Sequence, residues 1–144
     1  MIEIQTEYQT TIKFAGGKHA EVNQLVPGTN FPYVMHLSNV VMEVIIAGPA
    51  TSGFNLSFAV QIALLHDVLE DTQTTFKEIA TMFGFDVANV VQALTKNDIL
   101  DKADKMLNSL ARIRALSKEV WSVKLADIII NLQKPPAHWS SPKI

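Results

Sequence analysis

The run from Asn55 to Leu65 is almost uninterrupted in apolar side chains and stops at His66 and Asp67, with Glu70, Asp71 and Thr72 close behind. A run of this length falls well short of the roughly 20 residues that a membrane-crossing helix needs. It therefore has to be buried inside a folded domain, and the titratable groups at its end abut that core. The rest of the chain can supply such a core, because 48% of its 144 residues are hydrophobic and only 18% are charged, the opposite of a disordered composition. The length is one domain's worth of polypeptide, single domains clustering at about 100 to 150 residues.

Most of the chain carries helical rather than alternating periodicity, so the expected fold class is all-α, a helical bundle. Tyr8, Ile12, Phe14 and Ala15 mark an opening helix that stops before Pro27-Gly28, and residues 24–31 form a loop. A second helix starts near Pro32 and ends at Gly48-Pro49, with His36 in its first turns. A third spans about Leu56 to Leu69. Thr75 and Glu78 have the spacing of a capping box for a fourth, which ends at Gly84. Short helices continue to about Leu94. Beyond the polar stretch Thr95 to Asp101, helices are expected over about Ala103 to Leu116 and Lys118 to Leu132, with Ser117 as a candidate N-cap and Pro135-Pro136 as the stop.

Twelve Lys and Arg against fourteen Asp and Glu leave a net charge of −2, so no overall field draws this chain to nucleic acid or to an anionic membrane. Any anionic ligand has to be held by local groups. The chain has no cysteine, which excludes disulfides, thiolate metal sites and a cysteine nucleophile, and fits a reducing compartment. Glu3 and Glu7 interrupt an N-terminus that lacks the basic start and apolar middle of a signal peptide. The expectation is a cytoplasmic protein without a membrane span.

On a continuous helix His66 and Glu70, and Asp67 and Asp71, are spaced i,i+4, so four titratable groups share one side. Buried carboxylates are costly unless a cation or hydrogen-bond donors answer them, and no Lys or Arg lies between Lys18 and Lys77. A bound metal is the simplest local answer. The plainer alternative makes Glu70-Asp71-Thr72 a solvated helix end and His66 a hydrogen-bonded core histidine. Two distant residues weigh against it: His36, on a separate apolar helix, and Asp127, set between Ala126 and three consecutive isoleucines. Asp127 also has a plainer reading, an ion pair with Lys124. As a group, His36, His66, Asp67 and Asp127 offer two imidazoles and two carboxylates, a mixed set suited to Mn, Fe, Zn or Ni with open positions rather than to a closed structural zinc site. Glu70 and Asp71, close to these groups, could position a water and move protons. Such a site would hydrolyse a phosphate ester or anhydride.

The pattern resembles the HD-domain phosphohydrolases, whose metal set is a His, an adjacent His-Asp pair and a distal Asp. The string from Ala63 to Thr72 is similar to the subgroup comprising the hydrolase domains of RelA/SpoT-type enzymes and the small stand-alone alarmone hydrolases. Further matches are Phe14-Ala15 with Lys18-His19, Pro32 to His36, Phe83-Gly84, Leu94 to Lys96, and Val123 to Asp127 with Asn131-Leu132. The resemblance extends over about Phe14 to Leu132. It implies a helical Mn²⁺ enzyme that removes pyrophosphate from the 3′ position of guanosine 3′,5′-bis(diphosphate). His36, His66, Asp67 and Asp127 would be the ligands, Glu70 and Asp71 the catalytic pair, and Asn131 and Thr29 nucleotide contacts. His19 is read as packing.

The chain departs from that pattern in three places. Related hydrolases commonly carry a basic pair nine and eight residues before the first metal His, where this chain has Pro27 and Gly28, and no Lys or Arg occurs from Ala20 to Asn30. Ile128 stands where Lys or Arg often follows the distal Asp. The domain expected over residues 1–144 has a C-terminus shortened relative to the family. Two alternatives stay open: an HD phosphohydrolase for another nucleotide or phosphorylated metabolite, and a catalytically idle HD module that binds a nucleotide or a protein partner.

Overall fold

The computed structural model describes residues 2–95 and 117–132, and among these the regular structure is helical, as the periodicity predicts. The helices are α1 (Ile2–Glu21), α2 (Val34–Ala47), α3 (Leu56–Leu65), α4 (Val68–Asp71), α5 (Phe76–Phe83), α6 (Phe85–Leu94) and α7 (Lys118–Leu132), with a 3₁₀ turn over Gly48–Ala50 after α2. Expectations for Ala103 to Leu116 and for Pro135-Pro136 lie outside the described residues. None of the described helices is long and apolar enough to cross a membrane.

The centre of the fold is α3. Its start is capped by Asn55, whose side chain accepts from the Phe58 amide at 3.1 Å, satisfying one of the unpaired N–H groups of the first turn. Ala59, Val60 and Ile62 through Leu65 are all buried, and a helix apolar nearly all round is stable only when surrounded. It packs against α1, α2, α6 and α7, which bring Ala15, Leu37, Val40, Val44, Val91, Val120 and Val123 into one core. Helices α2 and α7 also pack on each other, so His36 in the first turn of α2 and Asp127 in the third turn of α7 can reach the same end of α3.

Helix α1 stops at Glu21, ahead of Pro27-Gly28 as predicted. Asn23 takes a left-handed φ of 55°, with Gln24 N bonded to His19 O at 3.1 Å and Asn23 N to Ala20 O at 2.9 Å. This is a Schellman motif with Asn in the usual glycine position. The loop then folds back on itself: Val26 to Thr29 form a turn closed by Thr29 N on Val26 O at 3.0 Å, with Pro27 second and Gly28 third at φ 78°, the arrangement of a type II turn. Val26 N on Phe31 O and Tyr33 N on Gln24 O complete the return. Gly16 lets α1 approach this region closely, since a Cβ there would lie 3.2 Å from Val34 Cγ2.

The predicted helix over Leu56 to Leu69 is broken. Helix α3 stops at Leu65, His66 and Asp67 form a turn, and α4 is a single short turn beyond it. The imidazole of His66 contributes to the break by donating from Nδ1 to the Ala63 carbonyl at 2.6 Å. The capping box of α5 is present as predicted, Thr75 and Glu78 answering each other's backbone amides.

Replacing Leu64, fully buried in α3, by Ala should cost about 2 to 5 kcal/mol in denaturant unfolding, transfer and cavity effects together. Met42→Ala, at an exposed position of α2, should stay within about 0.5 kcal/mol of the parent.

Candidate metal centre and active site

The turn at His66 and Asp67 has a chemical consequence. On a regular helix adjacent side chains do not face each other, yet here His66 Nε2 and Asp67 Oδ2 are 3.0 Å apart. Helix α7 brings Asp127 Oδ1 to 3.2 Å from His66 Nε2 and to 3.1 Å from His36 Nε2. One donor atom from each of His36, His66, Asp67 and Asp127 falls within 4.8 Å of the others. Asp127 is thus turned toward two imidazoles, which a pairing with Lys124 alone would not explain. The donor chemistry fits a divalent transition ion: neutral imidazole nitrogens and carboxylate oxygens, borderline and hard donors mixed.

Electrostatics tie the four groups together. Burial pulls the His66 imidazole toward neutrality, but the charge of Asp67 and hydrogen bonds to Asp127 and Asp67 outweigh it and hold its pKa well above 6.5. Since the Ala63 carbonyl can only accept, Nδ1 carries a proton whatever the charge, and the additional proton belongs on Nε2, facing the carboxylates. Burial pushes the Asp67 carboxyl up, but the His66 charge and hydrogen bonds from His66 and Tyr33 hold it at about 2. The Asp127 carboxyl is also raised by burial and pulled far lower by hydrogen bonds from His36 and His66. In the absence of a cation, His66 therefore supplies the positive charge that two half-buried carboxylates require.

Tyr33 donates from its hydroxyl to Asp67 Oδ2 at 2.6 Å, and burial, followed by the Asp67 charge, keeps that hydroxyl protonated well above its ordinary 10.0. An outer hydrogen bond of this kind fixes the orientation of a ligating carboxylate. The Tyr33 ring stacks between His19 and His36, with centroids at 4.7 and 5.0 Å. The packing role read for His19 holds, and the residue is buried to 1% exposure, but its Nδ1 also meets Gln24 Oε1 at 2.6 Å. Gln24 in turn donates from Nε2 to Asp71 Oδ2 at 3.1 Å. Burial raises the Asp71 pKa, with the Gln24 hydrogen bond opposing.

The predicted site residues separate into two groups. Glu70 joins His66, Asp67 and Asp127 in lining a small cavity of about 20 Å³, room for about one water-sized species. Asp71 is half-buried and held by Gln24. Asn131 is exposed, one turn past Asp127 and outside the cavity lining. Thr29 uses its hydroxyl inside the loop, donating to Val26 O at 2.8 Å and accepting from the Phe31 amide, and it lines a separate concavity with Gly28, Asn30 and Phe31. Tyr33 and Gln24 carry no role in the sequence pattern, and Lys124, weighed there as an ion-pair partner of Asp127, is buried in the cavity wall. Lys96, Lys102, Lys105, Arg112 and Arg114 lie outside the described residues.

The His66 shift has a sign that can be checked. A folded-state value above 6.5 stabilises the metal-free fold below pH 6.5, and that contribution is lost as pH rises through the raised value. In chelator-treated protein, NMR titration should find His66 titrating above the ordinary imidazole range. Asp127→Asn should lower its midpoint; an unchanged midpoint would remove Asp127 as a source of the shift.

No protein-family model matches the sequence. Among relatives, the guanosine-3′,5′-bis(diphosphate) 3′-pyrophosphohydrolase MESH1 of Danio rerio is 34% identical over 139 residues, covering 93% of this chain and 74% of that protein. The MESH1 of Xenopus tropicalis is 33% identical over 135 residues, 91% of this chain and 73% of that protein. The guanosine-3′,5′-bis(diphosphate) 3′-pyrophosphohydrolase of Aquifex aeolicus is 35% identical over 130 residues, which is 88% of this chain and only 17% of that longer protein. A solved structure described as a metazoan ortholog of SpoT that hydrolyzes ppGpp superposes with a TM-score of 0.74 at 27% identity, over 95% of this chain and 76% of that one. The relatives span both the fold and the length of chain that carries the His-Asp cluster, and this chain belongs to the MESH1 family of HD-type guanosine-3′,5′-bis(diphosphate) 3′-pyrophosphohydrolases.

Proposed function

We propose that this chain hydrolyses guanosine 3′,5′-bis(diphosphate) to guanosine 5′-diphosphate and pyrophosphate, with His36, His66, Asp67 and Asp127 holding a divalent ion and Glu70 and Asp71 handling protons. The observation that carries the reading is the convergence of four donor atoms within 4.8 Å in a chain of this family. Mn²⁺ is the ion we infer, because mixed carboxylate and imidazole donors suit it and the resemblance implies it. When bound, such an ion supplies Lewis acidity toward a phosphoryl oxygen and lowers the pKa of water.

The protein's own groups divide the remaining work. Glu70, in the cavity wall beside the cluster, can accept at its carboxylate the proton of the attacking water. Asp71, made more basic by burial, can hold a proton and return it to the leaving group. Tyr33 orients Asp67 through their hydrogen bond. Lys124 contributes a cation at the cavity, where a substrate with two diphosphates brings several negative charges.

Purified protein supplied with Mn²⁺ should release pyrophosphate from this substrate and lose the activity on chelation. His66→Ala and Asp127→Ala should lose bound metal in elemental analysis. Glu70→Gln and Asp71→Asn should keep the metal and lose about 10² to 10⁴ in rate, the usual contribution of a general acid or base. Activity near the parent's would return Glu70 and Asp71 to the role of a solvated helix end.

The loop favours a second reading, in which the same chemistry serves another nucleotide or phosphorylated metabolite. Pro27 and Gly28 occupy the turn where related hydrolases commonly carry a basic pair, and the φ of 78° at Gly28 would strain any Lys placed there. Charge-assisted phosphate contacts are each worth about 1.5 to 3 kcal/mol, so KM for the bis(diphosphate) should be high. Pro27→Arg, which leaves Gly28 intact, should lower it. A low micromolar KM in the parent would mean that other cations complete the pocket, and a better kcat/KM for a different compound in a nucleotide panel would favour the second reading.

A further inference from the structure

We propose that His19 is a positioning residue for Asp71, acting through the side-chain amide of Gln24. The inference rests on the reading of Asp71 as a proton-handling residue, and it assigns a function to a buried histidine otherwise explained by packing alone.

The geometry defines a directed chain. Gln24 stands between His19 Nδ1, 2.6 Å from its Oε1, and Asp71 Oδ2, 3.1 Å from its Nε2. An ionised carboxylate can only accept hydrogen bonds, so the amide must turn its NH₂ toward Asp71 and its oxygen toward His19. The oxygen also only accepts, so His19 has to donate, and its proton belongs on Nδ1. Burial lowers the His19 pKa, with Gln24 opposing, which keeps the ring neutral and leaves Nε2 as the unprotonated nitrogen. That Nε2 is buried and has no hydrogen-bond partner among the described residues. If the ring served only to fill space against Tyr33, a phenyl group would do so without burying an unsatisfied nitrogen. What histidine adds is the Nδ1 donor, the one atom that fixes which way the Gln24 amide faces.

The backbone serves the same end. The Schellman motif at the end of α1 joins Gln24 N to His19 O at 3.1 Å, and the returning loop joins Tyr33 N to Gln24 O at 3.1 Å. Gln24 is thus pinned on both sides of its Cα, and its side chain spans the gap from α1 to α4. His19 reaches the site by two routes: through Gln24 to Asp71, and through ring contact to Tyr33, which bonds Asp67.

Two measurements test this, one of which needs no substrate. The ¹⁵N shifts of His19 in metal-free protein should show the proton on Nδ1; a proton on Nε2 alone would overturn the proposal, because the amide would then face the wrong way. In the second, kcat, KM and metal content are measured with Mn²⁺ and guanosine 3′,5′-bis(diphosphate). Gln24→Leu and His19→Phe should lower kcat by about 10- to 10²-fold, the scale of a misplaced catalytic group, with KM and bound metal unchanged. His19→Asn, whose amide nitrogen falls near the Nδ1 position, should recover most of the loss. Adding Gln24→Leu to Asp71→Asn should lower kcat no further, as expected of residues acting through one group. Should Asp71→Asn be inactive while Gln24→Leu matches the parent, the positioning role fails and the reading of Asp71 stands. Should Asp71→Asn be fully active, that reading fails and the positioning role falls with it.

Discussion

Two half-buried carboxylates face two buried imidazoles at the end of α3, the most apolar of the described helices, and the structure around them serves that arrangement. Its hinge is the turn at His66 and Asp67. A continuous helix would point these neighbours in different directions; breaking it after Leu65 lets both meet Asp127 and His36. The break needs support on every side, since desolvated charges without partners are among the most expensive features a fold can carry. That support comes from the Ala63 carbonyl beneath His66, the Tyr33 hydroxyl on Asp67, and the packing of α2 and α7 against α3.

The loop between α1 and α2 contributes in a different way from the one its composition suggests. Lacking cations, it offers a substrate phosphate no side-chain charge, and the type II turn at Pro27-Gly28 makes a basic residue at the second of those positions sterically unwelcome. Its contribution is instead to shape. By folding back through paired backbone hydrogen bonds it returns the chain to α2 with Gln24 and Tyr33 side by side, one aimed at Asp71 and the other at Asp67. A basic side chain reaches the site from another direction, Lys124 lining the cavity from α7.

Much of the fold was legible from local rules. The apolar run of α3, the capping box at Thr75 and Glu78, and the helix-ending glycine at position 84 are each set by interactions among residues a few positions apart, and the structure contains all three. The break in α3 was not legible, because the spacing from Leu56 to Leu69 satisfies helical periodicity and the turn is stabilised by partners on other elements. The stop of α1 ahead of Pro27 was legible, but the cap that makes it was not, since Asn23 can take a left-handed conformation but does not have to.

The same division runs through the site. The kinds of donor available were determined by sequence alone, since imidazoles at 36 and 66 and carboxylates at 67, 70, 71 and 127 admit only certain ions and certain proton transfers. Which of those donors meet was decided by tertiary structure, because residues 36, 66 and 127 lie on separate segments whose packing, and not their spacing in sequence, brings the donor atoms within 4.8 Å of one another. Packing also divided the acidic pair, leaving Glu70 in the cavity and Asp71 bonded to Gln24, and it turned His19 from a residue beside a lysine in sequence into the buried end of a hydrogen-bond chain. Local chemistry is written in residue types, whereas a site assembled from four segments exists only once the core beneath it has closed.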